Sequence, residues 1–251
     1  MKSFPFSQLS TPVEDLPPQV DWRRAGVATA VKDQGQCGSC WAFASTEMTT
    51  CAPNPDDCGG TGGCAGSTAE LAFDYVVTAG MYQEYQLGYS PIVYNGTTLP
   101  CTAGDGTPVA TIGGYVQLPS NNYTALMNAV STVGPIAVSV AASSWFSYTS
   151  GVFSLPLGRS PDINHLVVLM GYGVDSETGQ PYWLVRNSWS PLWGEAGYIR
   201  LDRSVKSNED CAYDSTPQDG VACAGDDAPV QVCGTSGILY DSSYPTEAQI
   251  L

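Results

Sequence analysis

Nine cysteines in 251 residues constrain this chain more than any other feature. Cytosolic proteins seldom carry so many, because reducing conditions keep thiols from pairing there. The count is odd, so eight cysteines can form four disulfides while one thiol stays free for a separate job. Two glycosylation sequons, Asn95-Gly96-Thr97 and Asn122-Tyr123-Thr124, fit the same oxidising route. The opening stretch up to Pro18 has only Lys2 as a basic residue and no continuous apolar run, so it does not read as a signal peptide.

The length, with 43% apolar residues, suffices for one large domain or two closely packed small ones. The 27 Gly and 18 Pro are spread along the chain and indicate many turns rather than disorder. No run of about eighteen apolar residues occurs, so no membrane span is expected. The net charge of −15 would repel phosphate backbones and argues against a nucleic-acid partner. The same charge suits an acidic compartment, where carboxylates are partly protonated, and suits ordinary solubility equally.

Residues 1–15 belong to an irregular arm rich in Pro, Ser and acidic groups, which runs on to Pro18. A Gly-rich turn over 34–40 then leads into a helix of about three turns, capped by Ser39 and closed before Pro53. Ser67 with Glu70 forms a capping box for a second helix that Gly80 ends. A third helix is predicted over Tyr123–Thr132, stopped by Gly134-Pro135. Beyond it, Ile136–Val140, Leu166–Met170, Tyr182–Arg186 and Tyr198–Leu201 are short β-branched or aromatic runs between turns. The chain thus divides near residue 115 into a mainly helical part, 16–114, and a mainly β part, 115–251. A cleft between two such halves is a usual place for a large substrate.

The chain has a single histidine, His165, so a metal site built from several histidines is excluded. A lone histidine beside a strand is more often structural than catalytic, yet any histidine chemistry here must use this residue. A thiol is a good nucleophile as the thiolate, and at its free pKa only a small fraction is ionised at neutral pH. The first turn of a helix and a neighbouring imidazolium both lower that pKa. Cys40 fits the first condition by position, and His165 is the one group that can meet the second. In isolation Cys37-x-x-Cys40 also reads as a redox CxxC motif or half of a zinc site.

The stretch Gln34-Gly35-Gln36-Cys37-Gly38-Ser39-Cys40-Trp41-Ala42-Phe43 resembles the signature of the papain-like cysteine proteases at nearly every position. Asn164-His165-Leu166 followed by Gly171-Tyr172-Gly173 resembles the family's histidine block. Asn187-Ser188-Trp189 with Trp193 to Tyr198 resembles its asparagine block. Val20-Asp21-Trp22-Arg23 and Ile238 to Pro245 resemble its mature start and C-terminal strand, so the resemblance covers roughly residues 16–245. It implies an α+β, two-lobed fold with a helical N-terminal lobe, a β-barrel-like C-terminal lobe and the active-site cleft between them. It implies Cys40 as nucleophile, His165 as acid and base, and Asn187 as the group orienting the ring, with Trp189 shielding that bond. Gln34 and the Cys40 backbone N–H would form the oxyanion hole.

The resemblance also implies a Cys37–Cys64 disulfide and a second between Cys101 and either Cys51 or Cys58. Cys211, Cys223 and Cys233 have no assigned pairing. Gly66 would pair with the substrate backbone, and Ser67 stands beside it where relatives usually carry a second glycine. The pocket for the second residue before the cut (P2) would be lined by Thr68, Ala69, Ser139, Ile163, Leu166 and Ser242, an uncharged set that suits an apolar side chain. Asn164, Trp189 and Trp193 complete the expected substrate contacts. With no second histidine, the two-histidine loop that restricts some members to dipeptide removal is absent, which favours endopeptidase action of the cathepsin L kind. No cofactor and no metal are implied. The implied partners are polypeptide substrates and inhibitors of the cystatin type, acting on a monomer. The implied location is lysosomal, vacuolar or extracellular.

Three departures accompany the match. The family places its histidine and asparagine about 130–150 residues after the nucleophile. Here Asn187 follows Cys40 by 147 residues but His165 by only 125. The shortfall falls after Glu47, where about twenty residues of the family's long central helix and the segment beyond it have no counterpart. Most of the family's prosegment has none either, residues 1–15 being read as its remnant or as a plain irregular arm, and Ser190 replaces a usual glycine. The expected function is therefore a cysteine-type endopeptidase. The rivals are a catalytically inactive homologue acting as a binding or decoy protein, and a CxxC oxidoreductase.

Overall fold

The computed structural model describes residues 3–4, 6, 11–45, 48–86, 88–102, 106–155, 161–204 and 210–251. In chain order the elements are β1 (Ser3–Phe4), β2 (Val20–Asp21), α1 (Cys40–Ser45), α2 (Ala69–Ala79), α3 (Pro91–Tyr94), β3 (Ala110–Thr111), β4 (Gly114–Gln117) and α4 (Tyr123–Thr132). There follow β5 (Ile136–Val140), β6 (Val152–Phe153), β7 (His165–Val174), β8 (Pro181–Arg186), β9 (Tyr198–Asp202), β10 (Cys211–Asp214), β11 (Val230–Cys233), β12 (Ser242–Thr246) and β13 (Gln249–Ile250).

The large sheet runs β1-β4-β12-β5-β7-β8-β9-β6, with β2 added to β7. Its two ends, β1 and β6, do not meet, so the sheet is open and the barrel-like expectation is corrected to a curved sheet without closure. β7 is its axis, antiparallel to β5 through Val140↔His165 and to β8 through Val168↔Arg186. A bulge between Leu169 and Gly171 shifts the β7–β8 register. There β2 joins through Asp21↔Gly171. A Cβ on Gly171 would lie 2.0 Å from the Val20 carbonyl oxygen, so only glycine admits this strand.

The β-rich core comes from alternate residues of β5, β7, β8 and β9 packed on α4, with Leu126, Val130, Ile136, Val138, Leu169, Trp183 and Ile199 all buried. α4 starts where expected because Asn122 Oδ1 accepts the Ala125 N–H at 2.9 Å. The N-terminal arm is less irregular than its composition suggests. β1 pairs in parallel with β4, and Val13–Asp15 forms a 3-10 turn.

The helical part departs from expectation in two capping details and in one length. The cap of α2 is Thr68, whose Oγ1 accepts the Leu71 N–H at 3.4 Å, and not Ser67 one residue earlier. Ser39 offers its carbonyl to the Ala42 and Phe43 N–H groups, but its hydroxyl bonds Tyr89 Oη at 2.7 Å and so leaves the helix uncapped by a side chain. α1 spans six residues, shorter than the three turns expected, and Thr46 and Glu47, where the shortened helix would continue, lie outside the described residues. So short a helix is not stable alone. Trp41 and Ala42 bury it against Ala52 and Ala72, and Trp41 Nε1 donates to the Gly63 carbonyl at 3.1 Å. Where α1 stops, a cavity of about 260 Å³ opens beside Met48, Tyr89, Val93 and Leu99.

Four disulfides join Cys37–Cys64, Cys51–Cys101, Cys58–Cys223 and Cys211–Cys233. Cys101 thus takes Cys51, and Cys40 is the one free thiol.

Candidate active site

Cys40 is the first residue of α1, at the lip where the helix meets β7. Leu166 is buried between them, in one apolar cluster with Ala69 and Phe73 of α2, and Cys40 packs against that cluster. Leu166 follows His165, so one strand both closes the helical core and delivers the imidazole. Cys40, His165, Gly38, Gly66, Ser67, Asn164 and Leu166 line a single cleft of about 350 Å³.

His165 Nε2 and Asn187 Oδ1 are 2.8 Å apart and buried. Asn187 lies just past the end of β8, beside the start of β7 in the antiparallel register. Its carbonyl oxygen also accepts the Ser188 N–H at 2.8 Å, which orients the amide. The Trp189 ring stacks on the imidazole at 4.9 Å between centroids, and Trp145 meets the imidazole edge-on at 6.2 Å. Trp193 packs against both tryptophans rather than facing the cleft directly. Trp145 and Phe146, which stacks on Trp189 at 4.8 Å, were not legible from spacing. Their signal is the run Trp145-Phe146 in a segment without periodicity.

Burial pushes the Cys40 thiol pKa up and the His165 pKa down to about 4, the Asn187 bond opposing the latter. Neither charge is favourable alone. A thiolate–imidazolium pair in this cleft therefore depends on each charge stabilising the other, rather than on the helix end by itself.

Gln34 is buried with its amide fixed at both ends. Its Nε2 donates to the Cys37 carbonyl at 3.0 Å, and its Oε1 accepts from Ser188 Oγ at 2.6 Å. One amide hydrogen remains for a ligand oxygen. The Gln34 main chain is held by Ser188 and by Tyr89, whose hydroxyl donates to the Gln34 carbonyl at 2.6 Å. Ser188 and Tyr89 thus position the donor that the sequence reading identified alone.

The expected substrate contacts divide. Gly66, Ser67, Asn164 and Leu166 border the cleft. The Gly66 carbonyl already accepts from the Gly62 N–H at 2.7 Å, which leaves its N–H for a ligand. Ser67 Oγ is buried without a hydrogen-bond partner. Asn164 is tied to the Ala142 N–H and the Ser143 hydroxyl. Thr68, Ala69, Ser139, Ile163 and Ser242 are buried. Behind Ser139 lies a carboxylate that the uncharged lining did not reveal. Asp241 accepts from the Ser139 hydroxyl at 2.6 Å and from Gln117 Nε2 at 3.1 Å. Burial and the neighbouring Asp241 raise the Glu70 pKa to about 7.

A free thiol in the first helical turn, an imidazole fixed by an asparagine and a side-chain amide held through the next residue, Ser188, are the kinds of group that thiol hydrolase sites combine. Residues 16–220 match the family described as papain family cysteine protease, and the chain belongs to it. It is 37% identical over 214 residues to cathepsin L of Sarcophaga peregrina, covering 78% of this chain and 61% of the relative. Digestive cysteine proteinase 1 of Homarus americanus is 38% identical over 216 residues, covering 78% and 65%. The chain thus spans less than two thirds of the length of these relatives. Among solved structures, the bromelain protease of Ananas comosus in complex with the E64 inhibitor matches with a TM-score of 0.68 at 34% identity, covering 92% of this chain and all of that one. Digestive procathepsin L 3 of Tenebrio molitor matches with a TM-score of 0.69 at 28% identity, covering 97% and 73%.

Proposed function

We propose that this chain hydrolyses peptide bonds in polypeptides as a cysteine-type endopeptidase. The observation that carries the reading is the His165–Asn187 hydrogen bond in the same cleft as the chain's one free thiol. With Nε2 committed to Asn187, Nδ1 of His165 is the nitrogen that exchanges a proton with Cys40. The Cys40 sulfur attacks the scissile carbonyl carbon, and the oxyanion is met by the Cys40 N–H and the remaining Gln34 amide hydrogen. His165 gives its proton to the leaving amine, and an acyl-enzyme remains. Water, deprotonated by His165, then attacks the thioester and releases the acid and the thiol.

The division into 16–114 and 115–251 is read as the two lobes flanking this cleft, with 1–15 an arm on the β side. An apolar P2 residue is the expected guest, supported by Leu166 in the cleft wall. A monomer open to cystatin-type inhibitors, in an oxidising lysosomal, vacuolar or extracellular setting, fits the four disulfides. No described helix is long and apolar enough to cross a membrane.

A second reading, an unreactive homologue, draws on the six-residue α1 and the cavity beside it. Treatment with a peptidyl epoxide of the E-64 type separates the two. Labelling at Cys40 that is lost in Cys40→Ala, together with hydrolysis of a peptide substrate, supports the peptidase. A folded, soluble protein that neither labels nor hydrolyses is the homologue.

A further inference from the structure

The disulfide Cys58–Cys223 joins two segments 165 residues apart, the loop before α2 and the connection between β10 and β11. Two main-chain bonds run beside it, from the Gly59 N–H to the Ala222 carbonyl at 2.8 Å and from the Ala224 N–H to the Asp56 carbonyl at 3.1 Å. The other attachment of this connection is to the β side. Buried Asp214 accepts the Ile163 N–H at 3.0 Å and the Thr216 N–H at 2.8 Å. The chain then turns at Pro217, whose carbonyl receives the N–H groups of Val221 and Ala222.

Its contacts are backbone to backbone. A Cβ on Gly220 would lie 2.1 Å from the Ile163 carbonyl oxygen, and one on Gly59 would lie 2.8 Å from the Gly220 carbonyl oxygen. The connection therefore spans from the helical side at Gly59 to the β side at Ile163, two residues before His165. Gln218, Asp219 and Gly220 line the same cleft as Cys40 and His165. Its volume, about 350 Å³, is at the small end of the roughly 300–1,000 Å³ typical of ligand sites.

We propose that residues 217–224, pinned by Cys58–Cys223, are a strap across the acyl-side end of the cleft that leaves room in the groove for about two residues on the N-terminal side of the cut bond, so that the longer N-terminal side of an endopeptidase substrate must turn out past the strap and reacts more slowly. The direction of the substrate rests on the peptidase reading, in which Gly66 and Ser67 pair with the acyl side. The closed end explains why Thr68 and Ile163 are buried: the Cys58–Gly60 loop overlies the first and Gly220 the second. Longer acyl sides meet Gly60, Gln218 and Gly220 instead of open groove.

The test uses peptidyl chloromethyl ketones with one to four acyl-side residues, in which the Cys40 thiolate displaces chloride and no turnover is needed. Adducts at Cys40 are timed by mass spectrometry, with iodoacetamide as the length-independent reference. In the native protein the labelling rate falls at least tenfold from the dipeptidyl to the tetrapeptidyl reagent. In Cys58→Ser/Cys223→Ser the two rates come within about threefold while the iodoacetamide rate is kept. If the double variant does not fold, Gln218→Gly/Asp219→Gly, which keeps the disulfide, raises the tetrapeptidyl-to-dipeptidyl ratio at least threefold. A native rate that is flat or rises with length overturns the strap, as does a length dependence that survives both variants. Length-graded labelling without peptide hydrolysis sinks the peptidase reading and leaves the strap. Hydrolysis with flat labelling does the reverse.

Discussion

Asn187 Oδ1 faces His165 Nε2 at 2.8 Å and also accepts the Ser188 N–H, so the amide cannot rotate without losing two bonds. An amide oxygen only accepts, which places the Nε2 hydrogen on the ring and leaves Nδ1 as the basic nitrogen of the neutral imidazole. The imidazolium keeps this bond, and the Trp189 ring lies over the imidazole.

Replacing Asn187 by Ala removes a buried bond to a ring that becomes charged in the reaction. Such bonds contribute about 1.5–3 kcal/mol, so kcat/KM is expected to fall by roughly 10–100-fold. Steady-state kinetics on a peptide substrate checks this. The loss should lie in kcat, with KM nearly unchanged, because Asn187 touches the imidazole and not the substrate.

Gln34 and Ser188 make a graded pair. Gln34→Ala removes the proposed oxyanion donor, with an expected loss of about 10²–10³ in kcat. Ser188→Ala keeps the donor but releases its Oε1 anchor, so the loss should be smaller, about tenfold, one misaligned hydrogen bond. If Ser188→Ala equals Gln34→Ala, then the serine acts by more than holding the amide. If it has no effect, the Cys37 carbonyl alone fixes the amide.

How much of this was legible in the sequence follows from the range of the forces involved. α4 and β5 were placed from local signals alone: an Asn cap, a Gly-Pro stop and a β-branched run. Cys40, His165, Asn187 and Gln34 were read from motifs, and the fold brings Cys40 and His165 into one cleft, with Asn187 on the imidazole and Gln34 held through Ser188. Ser39 failed as a cap because its hydroxyl is turned to a distant partner, donating to Tyr89 Oη, whose own hydrogen goes to the Gln34 carbonyl. Cys58–Cys223 was illegible because pairing across 165 residues is decided by tertiary packing and not by spacing. Asp241 stayed hidden for a similar reason: an acidic residue beside the expected pocket lining gives no sign, in sequence, of whether it points to solvent or beneath Ser139.

Glu70 and His165 set opposing pH dependences of stability. The Glu70 pKa is raised to about 7 by burial and Asp241, so the native state holds a proton that the unfolded chain releases near its ordinary value of 4.5. Its stabilisation is present at low pH and is lost as pH rises between those values. The His165 pKa is lowered to about 4, so the unfolded chain takes up a proton below 6.5 that the native state refuses, and stability falls as pH drops through that window. Glu70→Gln should therefore leave a protein whose Tm rises more steeply from pH 4.5 to pH 7 than that of the native chain. At about 1.4 kcal/mol per tenfold change in proton affinity, the difference should reach several degrees. Parallel Tm profiles would show that Glu70 titrates as an exposed carboxyl.

Ser190 sits at φ +77, in the left-handed region, between Trp189 and the turn to Trp193. A side chain there costs about 1–2 kcal/mol, against which glycine loses roughly 0.5–1 kcal/mol in chain entropy. Ser190 Oγ recovers little, accepting the Leu192 N–H at a long 3.3 Å, while the Ser190 N–H bond to the Lys32 carbonyl needs no side chain. Ser190→Gly should thus stabilise the protein by about 0.5–1 kcal/mol, a rise of roughly 1–4 °C in Tm for a chain of this size. Because the peptide geometry is kept, Trp189 stays over His165, and the labelling rate of Cys40 by iodoacetamide should not change. A fall in Tm would mean that the serine hydroxyl holds the loop more strongly than its single long bond indicates.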